Sequence, residues 1–208
     1  MRRLASLVLL AAPSLALAFP MEALTPVERP NEPRAALAVG DSVMLGARDE
    51  LLAIPGWSVT VDAVVCRQAT RHVPGPKKCA GETFPDGIPS GLEGLRQARA
   101  AGTLGQVVVL SLGSNEGITG PQFEQLMVEL AQVPRVVWMT TTVRRQQATN
   151  AVLRAGVRRH RNAVLVDWAA FSRGKPWFGK DGIHLNPAGR AAFAGLVARS
   201  LHAGPSPK

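Results

Sequence analysis

The sequence predicts an open three-layer α/β/α sandwich built on a five-stranded parallel sheet. Five short apolar runs, near-continuous in Val, Leu and Ala, alternate with longer segments of helical period. Such runs suit strands buried on both faces of a parallel sheet. Alternation of strands with helices implies right-handed crossovers and helices on both faces. The length, 208 residues, fits one ordinary domain with a sizeable core rather than two.

Taken in order, the first strand is AALAV (35–39), followed by a helix over 43–53. WSVTVDAVV (57–65) is the second strand, and a loop-like stretch rich in Gly, Pro and Lys leads to a helix over 90–101. QVVVLSL (106–112), RVVWMTT (135–141) and NAVLVDW (162–168) are the remaining strands, with helices over 121–132, 146–160 and 187–201. Pro121 and Pro187 suit first helical positions, where a missing N–H costs nothing, and Asn186 is placed to cap the last helix. No internal repeat or low-complexity tract interrupts the series.

The opening MRRLASLVLLAAPSLALA carries two arginines, an apolar run broken only by Pro-Ser, and small residues at Ala16 and Ala18. This pattern predicts a signal peptide over 1–18, cleaved before Phe19, and a secreted or periplasmic product. A membrane anchor is the alternative, but the apolar run falls short of the roughly 20 residues of a spanning helix. Residues 19–33 carry four prolines and no apolar period and read as a linker. The domain is expected over 34–203, with a disordered tail at 204–208.

Apolar residues at 46% and charged residues at 19% describe a packed chain rather than a disordered one. Loss of Arg2 and Arg3 with the leader takes Lys+Arg from 24 to 22 against 15 acids, leaving +7. That balance suits attraction to an anionic cell-wall polymer, or solubility alone. Nucleic acid is not expected, because no zinc spacing, helix-turn-helix signal or aromatic-studded basic strand accompanies the charge. Arg154, Arg158, Arg159 and Arg161 fall partly on one helical face, an anion-binding stripe or a solvated face. Cys66 and Cys79, an even count in an exported chain, are expected to form a disulfide.

In open α/β sheets the ligand crevice lies outside the carboxyl ends of the strands. The first strand runs into Gly40-Asp41-Ser42, where a strand-to-helix turn would expose the Ser42 hydroxyl, as either a nucleophile or a helix cap. The third strand runs into Gly113-Ser114-Asn115-Glu116-Gly117, where an Asn amide can serve an oxyanion or simply form a turn. Asp181 and His184 lie three residues apart before the last helix. A carboxylate so placed can hold one imidazole nitrogen while the other faces a serine. The same spacing could supply two metal ligands or a surface turn, but no further cluster with ligand spacing accompanies it. His72 and His160 read as surface residues.

GDS after strand one, GSN after strand three and DGIH before the last helix resemble the SGNH (GDSL-like) hydrolase family, in order, over about residues 35–201. The resemblance implies a flavodoxin-like α/β/α fold with Ser42 as nucleophile and Asp181 and His184 completing a triad. It implies an oxyanion hole from the Ser42 and Asn115 blocks and a backbone N–H after strand two, at Cys66 or Arg67. VMLGA after Ser42, Arg67-Gln68, Val166-Asp167-Trp168 and Trp177 look like the SGNH domains associated with membrane O-acyltransferases of cell-surface carbohydrates. Cys66 stands where the family carries a glycine, and Glu116 where many members carry Asp.

The expected activity is therefore that of a secreted serine esterase acting through an acyl-Ser42 intermediate on O-acyl, above all O-acetyl, esters of cell-surface carbohydrate. An O-acyltransferase partner domain, or a silent carbohydrate-binding module of the same fold, is the alternative. Gln68, Trp177 and Asp41 are expected at the substrate; Trp57 and Trp168 are further candidates for sugar stacking, with packing favoured for Trp168. No cofactor or metal is expected. The anticipated partners are an acylated carbohydrate and an anionic cell-wall polymer, and the chain is expected to be a monomer.

Overall fold

The computed structural model describes residues 34–143 and 147–203. The expected leader, linker and tail lie outside them. The chain runs through β1 (Arg34–Gly40), α1 (Ser42–Gly46), α2 (Arg48–Leu52) and β2 (Trp57–Ala63). Four short strands follow, β3 (Val73–Pro74), β4 (Lys77–Cys79), β5 (Glu82–Phe84) and β6 (Gly87–Ile88), and then α3 (Gly91–Ala100). The second half comprises β7 (Val107–Ser111), α4 (Gly120–Glu129), β8 (Arg135–Met139), α5 (Gln147–Val157), β9 (Ala163–Val166), α6 (Trp168–Phe171) and α7 (Pro187–His202).

The five long strands form one parallel sheet in the order β2-β1-β7-β8-β9. Counting these five alone, the order is 2-1-3-4-5, the flavodoxin-like winding, whose switch point lies between β1 and β7. Side chains of successive strand residues point to opposite faces, and the core divides accordingly. Ala36, Ala38, Val107, Val109 and Val137 join Leu51, Phe193, Val197 and Leu201 of α2 and α7 on one face. Leu37, Val39, Val108, Leu110 and Val136 join Leu95, Phe123, Leu126 and Leu153 of α3, α4 and α5 on the other. Both faces are covered, as the apolar runs require.

Local signals place the helix starts. Ser90 with Glu93 and Thr119 with Gln122 form capping boxes, and the Asn186 side chain accepts from Gly189 N–H ahead of Pro187. Pro121 is the second helical residue, because Thr119 rather than Gly120 provides the cap. The single helix expected over 43–53 is two short ones, separated at Ala47 (φ −101°, ψ 16°). Gly46 at that junction favours a break through its large backbone entropy. α6 and the four short strands fall where no apolar period marks them.

Candidate active site

The turn after β1 is organised by Asp41. It is fully buried, its Oδ1 accepts from Val43 N–H at 3.1 Å, and its Oδ2 accepts from Ser114 N–H at 3.0 Å. One carboxylate thus caps α1 and fastens the turn after β7 to it. Capping by Asp41 sets Ser42 at the first helical position, where its own N–H has no intrahelical acceptor. Burial pushes the Asp41 carboxyl above the ordinary 3.8, against the opposing pull of the Ser114 and Val43 N–H groups. Of the residues expected at the substrate, Asp41 is thus enclosed, its oxygens committed to the two loops.

The loop between α6 and α7 brings Asp181 and His184 to the same edge. Gly179 N–H donates to His184 O at 2.7 Å and Asn186 N–H to Trp177 O at 3.0 Å, closing the loop, with Phe178 bridging Leu185. Gly182 turns at φ +69°, and Asp181 Oδ1 accepts from the N–H groups of Ile183 (2.9 Å) and His184 (3.0 Å). Asp181 Oδ2 meets His184 Nδ1 at 2.6 Å. The opposite ring nitrogen, Nε2, lies 3.0 Å from Ser42 Oγ. With Nδ1 protonated toward the carboxylate, Nε2 is free to accept the serine proton. The bond to His184, reinforced by the two backbone N–H groups, holds the Asp181 carboxyl down to about 2, so it is ionised at neutral pH. Asp181 and His184 remain about half exposed, at 49% and 55% of their side-chain areas, leaving the pair open to solvent.

The loop after β2 completes the rim. Arg67 is 2% exposed, and its guanidinium donates to Asp62 O (2.8 Å), Asp62 Oδ1 (2.8 Å) and Pro89 O (3.1 Å). Arg67 O in turn accepts from Asn115 Nδ2 at 3.1 Å. Cys66 holds φ +57°, a left-handed conformation that favours glycine, which explains how a cysteine stands where a glycine is usual only with outside support. That support is a disulfide to Cys79 on β4, with Cα atoms 6.4 Å apart.

Among the described residues the Cys66 N–H has no acceptor. The Arg67 N–H closes a turn onto Val64 O at 3.4 Å. Of the two donors expected after β2, Cys66 is therefore the available one, and Arg67 serves instead as a buried anchor. Asn115 keeps a second amide hydrogen beyond the one given to Arg67.

The remaining expected contacts divide. Trp177 is half-buried and stacks on Trp168, with centroids 5.8 Å apart and planes 11° apart. Trp57 and Trp168 are buried in the core. This aromatic set packs α6, α7 and the loop carrying Asp181 and His184 together, with Trp177 half-buried in it. Gln68 is half-buried, with its Oε1 enclosed and unpartnered among the described residues. Glu116 lies 3.5 Å from the exposed Arg71. His72 pairs with Glu93 and His160 with Glu124, both away from the triad. Asp62 is the residue that sequence reasoning passed over: it is the one charged residue of β2, and that was the available signal. Among the described residues no cluster of three or more His, Cys, Asp or Glu side chains could hold a metal ion, and no helix is long and apolar enough to cross a membrane.

No family model matches the chain. A search of solved structures finds the C-terminal catalytic domain of Streptococcus pneumoniae peptidoglycan O-acetyltransferase A (OatA), carrying a methylsulfonyl adduct. The two align with a TM-score of 0.63 at 19% identity, over 81% of this chain and 92% of that one. The fold is that of the SGNH hydrolases. A second structural neighbour is a carbohydrate esterase family 2 enzyme with a carbohydrate-binding domain from Corynascus thermopiles (Myceliophthora fergusii). Its TM-score is 0.55 at 14% identity, over 83% of this chain and 67% of that one.

Sequence relatives point the same way. YrhL of Bacillus subtilis, provisionally named a peptidoglycan O-acetyltransferase, is 29% identical over 168 residues, 79% of this chain and 23% of that protein. Peptidoglycan O-acetyltransferase OatA of Listeria monocytogenes is 28% identical over 171 residues, 80% of this chain and 24% of that protein. The chain thus spans about a quarter of the length of these relatives.

Proposed function

We propose that the protein is a serine esterase of the SGNH type that works outside the cytoplasm on O-acyl, chiefly O-acetyl, esters of cell-surface carbohydrate. The observation that carries this is the continuous path from Asp181 through His184 to Ser42, at 2.6 and 3.0 Å, beside two backbone N–H groups that have no acceptor among the described residues. His184 takes the Ser42 proton as Oγ attacks the ester carbonyl, and ionised Asp181 balances the imidazolium. The tetrahedral oxyanion is received by the N–H groups of Ser42 and Cys66 and the amide of Asn115, each such donor being worth about 3 kcal/mol in the transition state. The intermediate collapses with proton return from His184 to the leaving sugar oxygen, leaving acyl-Ser42.

Water then releases the acid. A sugar hydroxyl entering by the same route makes the reaction an O-acetyl transfer, and similarity to the peptidoglycan O-acetyltransferases favours keeping that second reading. A catalytically silent binding module is disfavoured by a complete triad in hydrogen-bonding register. Export is supported by the leader-like N-terminus and the disulfide.

The test is mass analysis of products from a panel of acyl esters, with and without a sugar acceptor. Acetate release that vanishes in Ser42→Ala supports the esterase. Acetylated acceptor in place of acetate reassigns it as a transferase, and unchanged turnover by Ser42→Ala removes the proposal.

A further inference from the structure

Next to the triad loop a cleft of about 540 Å³ opens between α5, α6 and the segment leading to α7. It reaches Gly182, between Asp181 and His184, so it shares a wall with the proposed catalytic centre. Thr142 and Gln147 offer polar groups, Phe178 a half-buried aromatic face, and Arg154, Arg173 and Lys175 positive charge.

These cations are not equally committed. Arg154 pairs with Asp167 at 2.5 Å. Burial works against ionised Asp167, but hydrogen bonds from Thr140 and Ala170 and the Arg154 charge together hold its carboxyl below the ordinary 3.8, so one negative charge faces Arg154. Arg173 and Lys175 are exposed and, among the described residues, form no ion pair. The Lys175 ammonium hangs 5.9 Å from the centroid of the Trp177 ring. Asn150 is buried, and its amide pairs with the Thr141 backbone at 2.9 and 2.8 Å. The cleft therefore presents two uncompensated cations, hydroxyl and amide groups, and one ring face. Carbohydrate C–H faces fit the ring, hydroxyls fit the polar groups, and an oxyanion fits the cations.

We propose that this cleft is a subsite for a sugar residue bearing an oxyanion group, carboxylate or phosphate, with Arg173 and Lys175 selecting the charge. As the specificity site of an esterase it rests on the reading of Ser42 given above, but its binding is measurable without turnover.

Titration calorimetry on Ser42→Ala protein at low salt compares a carboxylated oligosaccharide (oligogalacturonate), a phosphorylated oligosaccharide and a neutral one (cellotetraose) of equal length. At least one charged ligand binds about tenfold or more tighter than the neutral one, and which of the two wins identifies the oxyanion. The doubly substituted Arg173→Glu, Lys175→Glu protein loses that preference, while hydrolysis of 4-nitrophenyl acetate in the Ser42 background is unchanged. Equal affinities, no measurable binding of either charged ligand, or a preference that survives both substitutions would each overturn the subsite. Charge preference without ester hydrolysis would instead sink the catalytic reading and leave the subsite standing.

Discussion

Asn115 donates one of its two amide hydrogens to the carbonyl oxygen of Arg67, at 3.1 Å. This bond ties the loop after β7 to the loop after β2 across the topological switch point. Its effect is to fix the direction of the second hydrogen, the one proposed to meet the oxyanion. Arg67 is itself held by Asp62 and Pro89, so the donor rests on a buried polar frame rather than on a free loop.

Removing the proposed nucleophile tests the centre directly. Ser42→Ala is expected to lower kcat by several orders of magnitude and to abolish labelling by a fluorophosphonate probe, with the melting temperature little changed. Asp181→Asn keeps the shape but leaves His184 without its charge partner, and a fall of about 10⁴-fold in kcat is expected. Steady-state kinetics on an activated acetyl ester reads both; labelling that persists in Ser42→Ala would place the nucleophile elsewhere.

The disulfide predicts a split between stability and rate. Cys79→Ser leaves Cys66 in place but removes the tether that supports its left-handed backbone. Closing a loop of this length is worth about 3 kcal/mol, so denaturant midpoints drop. Once Cys66 relaxes, its N–H turns from the oxyanion and kcat falls about tenfold with KM nearly constant. A protein that loses stability but keeps its kcat would show that Cys66 contributes no donor.

A methyl group far from the serine should act on the same frame. At Gly94 an added Cβ would run into Asp62 Oδ2 and come within 3.7 Å of Arg67 Nη1. Gly94→Ala therefore displaces the anchor of Arg67, costing about 1–3 kcal/mol and lowering kcat. Gly46→Ala meets nothing within 4 Å and serves as the comparison, neutral or stabilising by up to about 1 kcal/mol. Thermal melts and kinetics on the two variants separate these outcomes.

The two aspartates of the site titrate in opposite senses. Asp181 is lowered to about 2 from 3.8, so whatever stability it adds is present above 3.8 and lost as the pH falls toward 2. With half its area exposed, that contribution is modest. Asp41 is raised above 3.8, so its contribution is full below 3.8 and lost as the pH climbs through its folded value. Melting temperatures across pH should show the gap between wild type and Asp181→Asn closing on acidification. The gap to Asp41→Asn should close on alkalinisation; movement in the same direction for both would contradict the assignment.

Much of the fold was legible because burial on both faces writes itself into composition. The runs at 35–39, 106–112 and 135–141 became β1, β7 and β8 with ends shifted by at most two residues. Where neither period nor burial leaves a mark, reading failed: α6 is a single turn capped by Asp167, and β3 to β6 are two or three residues each. In the candidate site, Ser42 and Asn115 stood out because they follow strand ends, and Asp181 and His184 because they lie three residues apart just before the last helix. The inward commitment of Asp41, the anchoring of Arg67 and the packing of Trp177 were not, since each depends on a partner distant in sequence, such as Ser114, Pro89 or Trp168.

The two bonds of the triad differ in how they are made. Asp181 and His184 are separated by three positions and Ser42 and His184 by 142. The acid–base pair is a local product of one short loop, whereas its meeting with the serine is enforced by the whole sandwich. Gentle unfolding should therefore abolish the proposed activity while the imidazole still holds its carboxylate, making that activity an earlier reporter of lost tertiary order than any probe of the loop itself.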